Sequence, residues 1–286
     1  MTNDAFQLFE PKTRLTSVVF ASPHSGRSYS QTFLDATVLG RRAIRSSEDA
    51  FVDQLLEGVP GLGAPLLAAV APRAFIDLNR GADELDPAVI VGVQSFAHNP
   101  RVASGLGVIP RVVAGGRAIY NGKIPLSEAQ ARIRDWWHPY HACLLRLLGE
   151  SRKAFGEAIL IDVHSMPHEA MEIVVSRSGR RPDIVVGDRY GAAAASHIVN
   201  RVEEAFRAQG LVVARNVPFA GAYIGQTYGR PGIGQHAIQI EIDRALYMDE
   251  YHVRPNANFA PFKKMLTRVL SEIVDIGRQQ TSLAAE

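Results

Sequence analysis

The chain has 286 residues, of which 47% are hydrophobic and 21% are charged, and its formal net charge is +2. This is the composition of an ordinary globular protein, long enough for one large α/β core or two small ones. Basic residues are scattered among acidic ones, which argues against a nucleic-acid-binding protein and favours a small-molecule or peptide-like substrate.

Three further features of the composition bear on where the protein works. The opening residues MTNDAFQLFEPKTR are acidic and aromatic where a signal peptide needs a basic start and an apolar core. The longest apolar run, GAPLLAAVA, is far shorter than the roughly 20 residues of a membrane-spanning helix. A single cysteine, Cys143, excludes an intrachain disulfide and lies in a helical pattern typical of a core thiol. We therefore expect a soluble protein of the reducing cytoplasm with no membrane partner.

Strand-like and helix-like segments alternate along the chain. Strands are predicted at 17–22, 64–70, 73–78, 158–164, 183–188, 211–217 and 236–242. Helices are predicted at about 49–57, 127–149, 190–208 and 257–278, with a kink at Pro139 in the second. Several strands are apolar on both faces, as in ILIDV, which is typical of strands that helices cover on two sides. The pattern predicts a three-layer α/β/α sandwich.

The connection over residues 81–122 is rich in Gly and Pro and is long. Such a connection usually marks a functional loop or an irregular insertion. The chain contains no internal repeat, low-complexity tract or linker that would divide it. We therefore expect one domain over residues 1–286.

Polar side chains interrupt or follow four of the predicted strands. The four segments are VVFASPHSG with His24, RAFIDLNRG with Asp77, Asn79 and Arg80, ILIDVHSMP with His164, and HAIQIEID with Glu241. Ligands of open α/β sheets bind outside the carboxyl ends of the strands. The four segments are therefore expected to build one site.

Two of these segments supply a histidine, and the sequence SSEDAF places Glu48 and Asp49 at the start of a predicted helix. Two imidazoles and one carboxylate, with an open fourth position, form the usual ligand set of catalytic zinc. Glu241 would then be the general base, because its strand pattern IQIEI argues against a surface role. Asp162 points to the same strand face as His164 and can orient its imidazole.

Other interpretations of the same residues stay open on spacing alone. A single histidine at a strand end is more often a structural group than a ligand, and SSED also reads as a helix N-cap with acidic residues in the first turn. The sequence contains no H-E-x-x-H motif. Ser25 and Ser165 each follow a histidine, but neither lies in a G-x-S-x-G elbow, and adjacent strand residues point in opposite directions. Serine catalysis is therefore the weaker interpretation.

Further residues suit substrate binding. The Arg80 guanidinium next to Asn79 suits bidentate capture of a substrate carboxylate, and its alternative is a surface ion pair of little energetic value. The Gly-rich sequence YGRPGIGQH (228–236) is a candidate active-site lid. Tyr223 and Arg230, in the loop that leads to the strand of His236, can contribute anion or carbonyl contacts.

Together, the motifs resemble the N-formylglutamate amidohydrolase family. They are SPHSG, SEDAFVDQL, FIDLNR, GVIPRVVAGGRAIYNG, WWHPYHACL, LIDVHSMP, PFAGAYIGQTYGRPGIGQHAIQIEI and YMDE, which follow the family's order over roughly residues 20 to 250. The resemblance implies a fold similar to that of zinc carboxypeptidases and aspartoacylases, with a mixed, mainly parallel central sheet. It also implies hydrolysis of N-formyl-L-glutamate to formate and L-glutamate, the closing step of one histidine-degradation route.

The resemblance also implies roles for individual residues. By position, His24 and His164 look like ligands of Zn²⁺ or another divalent metal, and Glu241 looks like the base. Asn79 and Arg80 of DLNR look like substrate-binding residues. Asp162, Glu48 and His236 are expected to support the site from behind the ligands.

Two departures from the family pattern matter. Carboxypeptidase-like enzymes take a carboxylate ligand three residues after the first histidine, but Arg27 stands there in this chain. The carboxylate must come from elsewhere, and Asp49 matches the family's acidic position better than Glu48. The lid sequence Gly221-Ala222-Tyr223-Ile224-Gly225 also differs from the paired glycine and threonine expected there, which bears on the identity of the substrate.

These observations predict a zinc-dependent hydrolase that removes an N-acyl group, most simply formyl, from an acidic amino acid. The alternatives are another zinc-dependent N-acyl amino acid deacylase, a small carboxypeptidase, or a non-catalytic ligand-binding protein of the same fold. The oligomeric state is left open.

Overall fold

A mixed seven-stranded sheet runs through the middle of the molecule, with helices on both faces. The structure is a computed structural model that describes residues 5–94, 99–172 and 179–278. The strand order is β1-β3-β2-β6-β9-β7-β8, in which β3, β2, β6 and β9 are mutually parallel. β1 and β7 pair antiparallel to their inner neighbours β3 and β9. The predicted three-layer sandwich with a mixed, mainly parallel sheet is confirmed.

The strands of the main sheet are β1 (Phe6–Phe9), β2 (Val18–Ser22), β3 (Leu66–Ala69), β6 (Ala158–Met166), β7 (Ile184–Gly187), β8 (Val213–Arg215) and β9 (Gln235–Asp243). Two short antiparallel ladders lie outside it, formed by β4 (Val112–Val113) with β5 (Arg117–Ala118) and by β10 (Met248–Asp249) with β11 (Arg254–Pro255).

The α-helices of the described residues range from four to eighteen residues in length. They are α1 (Gln31–Ala36), α2 (Arg41–Ile44), α3 (Val52–Leu55), α4 (Pro100–Ala103), α5 (Leu126–Arg132), α6 (His138–Phe155), α7 (Ser196–Arg207), α8 (Tyr223–Tyr228) and α9 (Phe259–Ile276). None of the helices in this part of the chain is long and apolar enough to cross a membrane.

Two hydrophobic cores flank the sheet, because successive strand side chains point to opposite faces. On one face, the aliphatic residues of β6 and β9, such as Ile161 and Ile240, pack with α3, α7 and α9. On the other face, Leu160 and Ala237 pack with α6 and α8. Every residue of β6 and β9 is buried, as the apolar patterns of these strands predict.

The segment 73–78 is not a strand, contrary to the prediction. Its backbone forms turns after Pro72, whose carbonyl accepts hydrogen bonds from Phe75 and Ile76, and the Asp77 N–H donates to the Val108 carbonyl. The apolar side chains Ile76 and Leu78 are buried in the core over the sheet. The segment therefore has a strand-like apolar pattern because its side chains are buried, although its backbone forms turns.

Pro139 does not kink the second predicted helix in the expected way. A five-residue π-helix, Ile133–Trp137, joins α5 to α6, and Pro139 lies in the first turn of α6. Proline has no N–H to donate and is accepted in a first turn, and a local π-helix absorbs the resulting change of register.

Candidate metal centre and active site

His24, Asp49 and His164 meet at the carboxyl edge of the central strands. β2 and β6 are adjacent and parallel, so His24, two residues after β2, and His164, near the end of β6, lie at the same edge. Asp49 reaches them because its backbone N–H donates to the His24 carbonyl at 3.0 Å. The three side chains are buried, and one ligand atom from each lies within 4.8 Å of the others.

The atoms that face one another are two imidazole nitrogens and a carboxylate oxygen. The Nδ1 atoms of His24 and His164 are 3.1 Å apart. Asp49 Oδ2 lies 3.0 Å from Nδ1 of His164 and 3.5 Å from Nδ1 of His24. Two imidazoles and one carboxylate are a donor set that suits a catalytic divalent metal such as zinc.

The outer nitrogen of each imidazole contacts a second buried carboxylate. His24 Nε2 lies 2.7 Å from Asp77 Oδ1, and His164 Nε2 lies 3.0 Å from Asp162 Oδ2. A carboxylate behind a histidine fixes the ring and its tautomer, so that the inner nitrogen is available to a metal. The structure therefore places Asp162 where the sequence puts it and adds Asp77 in the matching position behind His24.

The second oxygen of Asp49 is also held. Arg244 Nη2 donates to Asp49 Oδ1 at 3.1 Å, and Ser165 Oγ donates to the same oxygen at 3.3 Å. Arg244 Nε donates in turn to Ser165 Oγ at 3.1 Å. With Oδ1 engaged in this way, Oδ2 is directed at the two imidazoles.

The carboxylates around the imidazoles favour positive charge between them. Burial raises the pKa of Asp49, but hydrogen bonds with His164 and His24 outweigh it and hold that pKa well below its usual range. Burial lowers the pKa of His164, but the charge of Asp162 and the hydrogen bonds with Asp162 and Asp49 outweigh it and hold that pKa well above its usual range. A proton or a metal cation can satisfy this preference, so the three residues fit a bound metal.

Glu241 lies beside this cluster, directly across the β6–β9 pair from His164. Gln239 Nε2 donates to Glu241 Oε1 at 2.9 Å. Burial raises the pKa of the Glu241 carboxyl to about 7, against the opposing charge of His164. A carboxyl with a pKa near neutrality can both take and return a proton, as a general base requires.

A cavity of about 540 Å³ opens onto the cluster, which is within the usual size range of small-molecule sites. His24, Asp49, His164 and Glu241 line it. Four arginines also line it, namely Arg73, Arg80, Arg101 and Arg244. The cavity therefore combines a candidate metal centre with a cationic wall suited to an anionic ligand.

Asn79 and Arg80 line this cavity too, as predicted from the DLNR sequence. Asn79 Nδ2 lies 3.3 Å from His164 Nε2, and Asn79 Oδ1 accepts the Ile224 N–H at 2.8 Å. The buried Arg80 donates to the carbonyls of Asn79 and Leu106, both at 2.8 Å. Its guanidinium is thus fixed by backbone oxygens rather than by an acid.

Glu48 and His236 lie outside the cluster that they are expected to support. Glu48 accepts hydrogen bonds from the Tyr29 hydroxyl at 2.5 Å and the Arg45 Nε at 3.0 Å, so it anchors the segment before Asp49. His236 lies at the start of β9 on the opposite face from Glu241, and its Nδ1 accepts the Ala195 N–H at 3.3 Å. The alternation of the strand explains this, because the two residues are five positions apart and an odd offset places them on opposite faces.

Tyr223 and Arg230 are also not brought into the cavity. The Tyr223 ring packs against Trp137 at a centroid distance of 5.7 Å and against His141 at 5.4 Å. Arg230 is exposed, and its Nε donates to the Thr227 carbonyl at 3.3 Å. The lid sequence instead contributes the backbone around Ala220, Gly221 and Ala222 to the cavity wall.

Neither serine that follows a histidine is paired with an imidazole within the described ranges. Ser25 Oγ donates to the Ser22 carbonyl at 3.2 Å, and Ser165 Oγ serves Asp49 and Arg244. The N-cap interpretation of SSED also does not hold, because α3 begins after Phe51 and has no side-chain cap.

Three residues of the site were not predicted from the sequence as functional candidates, namely Arg73, Arg101 and Arg244. Asp77 was predicted at this edge together with Asn79 and Arg80, but its position behind His24 was not predicted. Arg244 follows β9 directly, at the carboxyl edge of the sheet where the site is predicted. Arg73 lies in a turn and Arg101 in the four-residue helix α4, and segments this short show no periodicity that indicates the direction of a side chain.

The chain is similar to known proteins over most of its length. A family model described as N-formylglutamate amidohydrolase matches residues 16–248. A protein of Pseudomonas aeruginosa named N-formylglutamate deformylase is 28% identical over 262 residues, which cover 90% of this chain and 91% of the relative. A protein of the same name from Pseudomonas putida is 29% identical over 236 residues, with 82% of each chain covered.

A solved structure shares the fold closely. It is described as N-formylglutamate amidohydrolase from Ralstonia eutropha and is 36% identical to this chain. The TM-score is 0.88, with 96% of this chain and 98% of the other covered.

Proposed function

The chain belongs to the N-formylglutamate amidohydrolase family, and on that premise we propose that it hydrolyses N-formyl-L-glutamate to formate and L-glutamate with a bound divalent metal, in the first place zinc. The observation that carries this proposal is the buried group of His24, Asp49 and His164, which lies beside Glu241 in one cavity. The relatives named for this activity support the substrate.

His24, Asp49 and His164 would hold the metal through the two Nδ1 atoms and Oδ2. A metal bound there would supply a Lewis acid that polarises the scissile carbonyl and makes water more acidic. Asp77 and Asp162 keep the outer imidazole nitrogens engaged, and Arg244 keeps Asp49 Oδ1 engaged. Two buried carboxylates and one arginine therefore orient the metal ligands.

Glu241 is the proposed general base. It accepts a proton from the attacking water and returns it to the nitrogen of the leaving amine, so that formate and glutamate separate as the C–N bond breaks. The raised pKa of about 7 suits both steps, since the group then gains and loses a proton readily near neutrality. Gln239 holds one of its oxygens.

The arginines of the cavity bind the substrate. Arg80 is fixed by two backbone carbonyls and captures the α-carboxylate. Arg73 is paired with Asp77 through Nε at 3.0 Å and lines the same cavity, where its remaining N–H groups can donate to the carbonyl oxygen of the formamide.

The direct test is formate release from N-formyl-L-glutamate. Purified protein is assayed as isolated, after chelation verified by elemental analysis, and after addition of one equivalent of Zn²⁺ or another divalent metal. We expect loss of activity on chelation and recovery on addition of metal. Full activity in verified metal-free protein would contradict metal dependence.

A substrate panel separates this proposal from the other deacylases. N-acetyl- and N-succinyl-glutamate test the acyl group, and a dipeptide with C-terminal glutamate tests a carboxypeptidase. We expect the formyl compound to be the best substrate. A higher kcat/KM for any of the other compounds would replace N-formyl-L-glutamate as the proposed substrate.

On the same premise, we propose that the reaction closes a histidine-degradation route and takes place in the cytoplasm. We also propose that residues 1–286 form one N-formylglutamate amidohydrolase-like domain, so that limited proteolysis should yield no stable half.

A further inference from the structure

The four cavity arginines differ in whether an acid neutralises them. Arg73 pairs with Asp77 at 3.0 Å, and Arg244 pairs with Asp49 at 3.1 Å. Within the described ranges, no carboxylate oxygen lies within 4.0 Å of the guanidinium nitrogens of Arg80 or Arg101. Two positive charges on the cavity wall are therefore left for a ligand.

The segment that carries Arg101 is tied to the segment that carries Arg80. The Leu106 carbonyl accepts from Arg80 Nε, and the Leu106 N–H donates to the Arg101 carbonyl, both at 2.8 Å. Asn99 caps α4 by accepting the Arg101 N–H at 3.0 Å. Hydrogen bonds thus hold the segment that carries Arg80 next to the segment that carries Arg101.

Glu84 supplies a second tie between these segments. One of its carboxylate oxygens accepts the Gly81 N–H at 2.8 Å, and the other accepts from Asn99 Nδ2 at 3.1 Å. The negative charge of Glu84 acts on Arg80, but one of its oxygens is used to hold the Gly81 backbone and the other to hold the Asn99 side chain. Glu84 thus links the segments that carry the two arginines without forming an ion pair with either one.

Electrostatics agree with this placement. Burial lowers the pKa of Arg80, and the positive charges of Arg73 and Arg101 lower it further against the opposing charge of Asp77. Two like charges held near each other in a cavity repel, and a ligand with two negative charges relieves that repulsion. A substrate with one carboxylate would leave one of them unpaired.

We propose that Arg101 binds the side-chain carboxylate of the substrate and so makes the site selective for N-acyl derivatives of acidic amino acids. The inference rests on the proposed function, in which Arg80 takes the α-carboxylate. Arg101 is exposed at the mouth of the cavity, where a substrate side chain directed away from the buried metal centre would end. It is a specificity-determining residue and takes no part in bond breaking.

The experiment compares two substrates that differ only in the charge of the side chain. The values of kcat/KM for N-formyl-L-glutamate and N-formyl-L-glutamine are measured for the metal-loaded wild-type protein and for Arg101→Met. We expect the wild type to prefer glutamate and the variant to lose about 10- to 100-fold of that preference, as for one charge-assisted contact. The value for the glutamine compound should change little.

Two further variants sharpen the result. Arg101→Lys keeps the charge and should retain part of the preference. Arg146→Met is the matched control, because Arg146 is an exposed arginine that pairs with Glu150 on α6, outside the cavity. It should leave both values unchanged.

A third substrate tests which carboxylate Arg101 reads. N-formyl-L-glutamic acid α-amide lacks the α-carboxylate and keeps the side-chain carboxylate. Arg101→Met should therefore lower kcat/KM for this compound and for N-formyl-L-glutamate by the same factor, so that the ratio of the two values, the discrimination against the α-amide, stays as in the wild type. The inference would be overturned if Arg101→Met abolished the discrimination against the α-amide. It would also be overturned if the variant lost kcat/KM equally for the glutamate and glutamine compounds, or lost none for either.

The failure of this inference is distinguishable from failure of the proposed function. If the wild type hydrolyses the glutamate and glutamine compounds equally well, Arg101 reads no side-chain charge although the deformylase proposal stands. If the metal-loaded wild type releases formate from no N-formyl amino acid, both are overturned.

Discussion

The two faces of β6 and β9 differ in how they change toward the carboxyl edge. On the face toward α7 and α9, the side chains stay aliphatic to the end, as in Ile159, Ile161 and Val163 of β6. On the face toward α6, β6 begins with Ala158 and Leu160 and continues with Asp162 and His164. β9 repeats the pattern, with Ile238, Ile240 and Ile242 on one face and Ala237, Gln239 and Glu241 on the other.

This difference shows how one pair of strands serves two purposes. The aliphatic face contributes burial free energy along its whole length. The opposite face buries carboxylates and imidazoles, which costs stability unless they are paired. Substitutions on the two faces should therefore separate activity from stability.

Glu241→Gln tests the polar face and should have the largest effect. Removal of the proposed base should lower kcat for N-formyl-L-glutamate by about 10²- to 10⁴-fold, the usual contribution of a general base. Stability and metal content should be kept, because glutamine has the same shape and can still contact Gln239. The measurements are steady-state kinetics, elemental analysis and thermal unfolding, and unaltered turnover would remove Glu241 from the mechanism.

Ile240→Ala tests the aliphatic face of the same strand, one residue away. The side chain is buried in the core with α7 and α9, so the variant should lose about 2–5 kcal/mol of unfolding free energy in urea. Ile240→Val is the matched control and should lose about 0.5–1.5 kcal/mol. If the faces are independent, kcat per folded molecule stays at the wild-type value in both. A fall in kcat as large as that of Glu241→Gln would break the comparison.

A pH-dependent effect is expected from His141, which lies in the helical layer over the polar face. Its Nε2–H donates to the Leu78 carbonyl at 2.9 Å, and its Nδ1 accepts the Tyr228 hydroxyl at 2.8 Å. Burial lowers the pKa of His141 to about 4 from an ordinary value of 6.5. The unfolded chain therefore binds a proton between these pH values that the folded chain does not, so stability is full above 6.5 and is lost as the pH falls toward 4.

The loss from this one group should reach about 3 kcal/mol at pH 4, and it is measured by urea unfolding between pH 4 and pH 8. Other groups titrate in the same range, so the test is the difference in slope between wild type and His141→Gln. The variant should be less stable at pH 8 and should show a shallower decline below 6.5. Parallel curves would show that His141 is not buried as a neutral group.

The sequence was sufficient to predict the central strands and the long helices. β6 and β9 were predicted to within two residues because each is rich in β-branched and other aliphatic residues, with only a few polar side chains among them. β1 was missed, since only Phe6 and Leu8 of its four residues are buried and the segment is too short for its alternation to stand out. The segment 73–78 was wrongly predicted as a strand, because hydrophobicity reports burial and does not report hydrogen-bond partners.

The site was predictable where it is built on strands. His164 and Glu241 lie near the ends of their strands, so their direction follows from the strand period, and His24 follows β2 in the next turn. Arg73 and Arg101 could not be predicted, because Arg73 lies in a turn and Arg101 in a four-residue helix, and neither segment is long enough for a period to indicate the direction of a side chain. The assignment of His236 failed for the opposite reason, since the period of its strand already directs it away from Glu241.

The three candidate ligands come from distant parts of the chain, and His24 and His164 are 140 positions apart. An unfolded chain cannot offer them together, because the two imidazoles meet only after β2 and β6 have paired. An ion that binds all three therefore favours the completed sheet by RT ln(1 + [M]/Kd), where [M] is the free ion concentration. Occupancy of the centre would thus report that the middle of the sheet has assembled, and the supply of metal would help set how much of the newly made protein persists in the folded state.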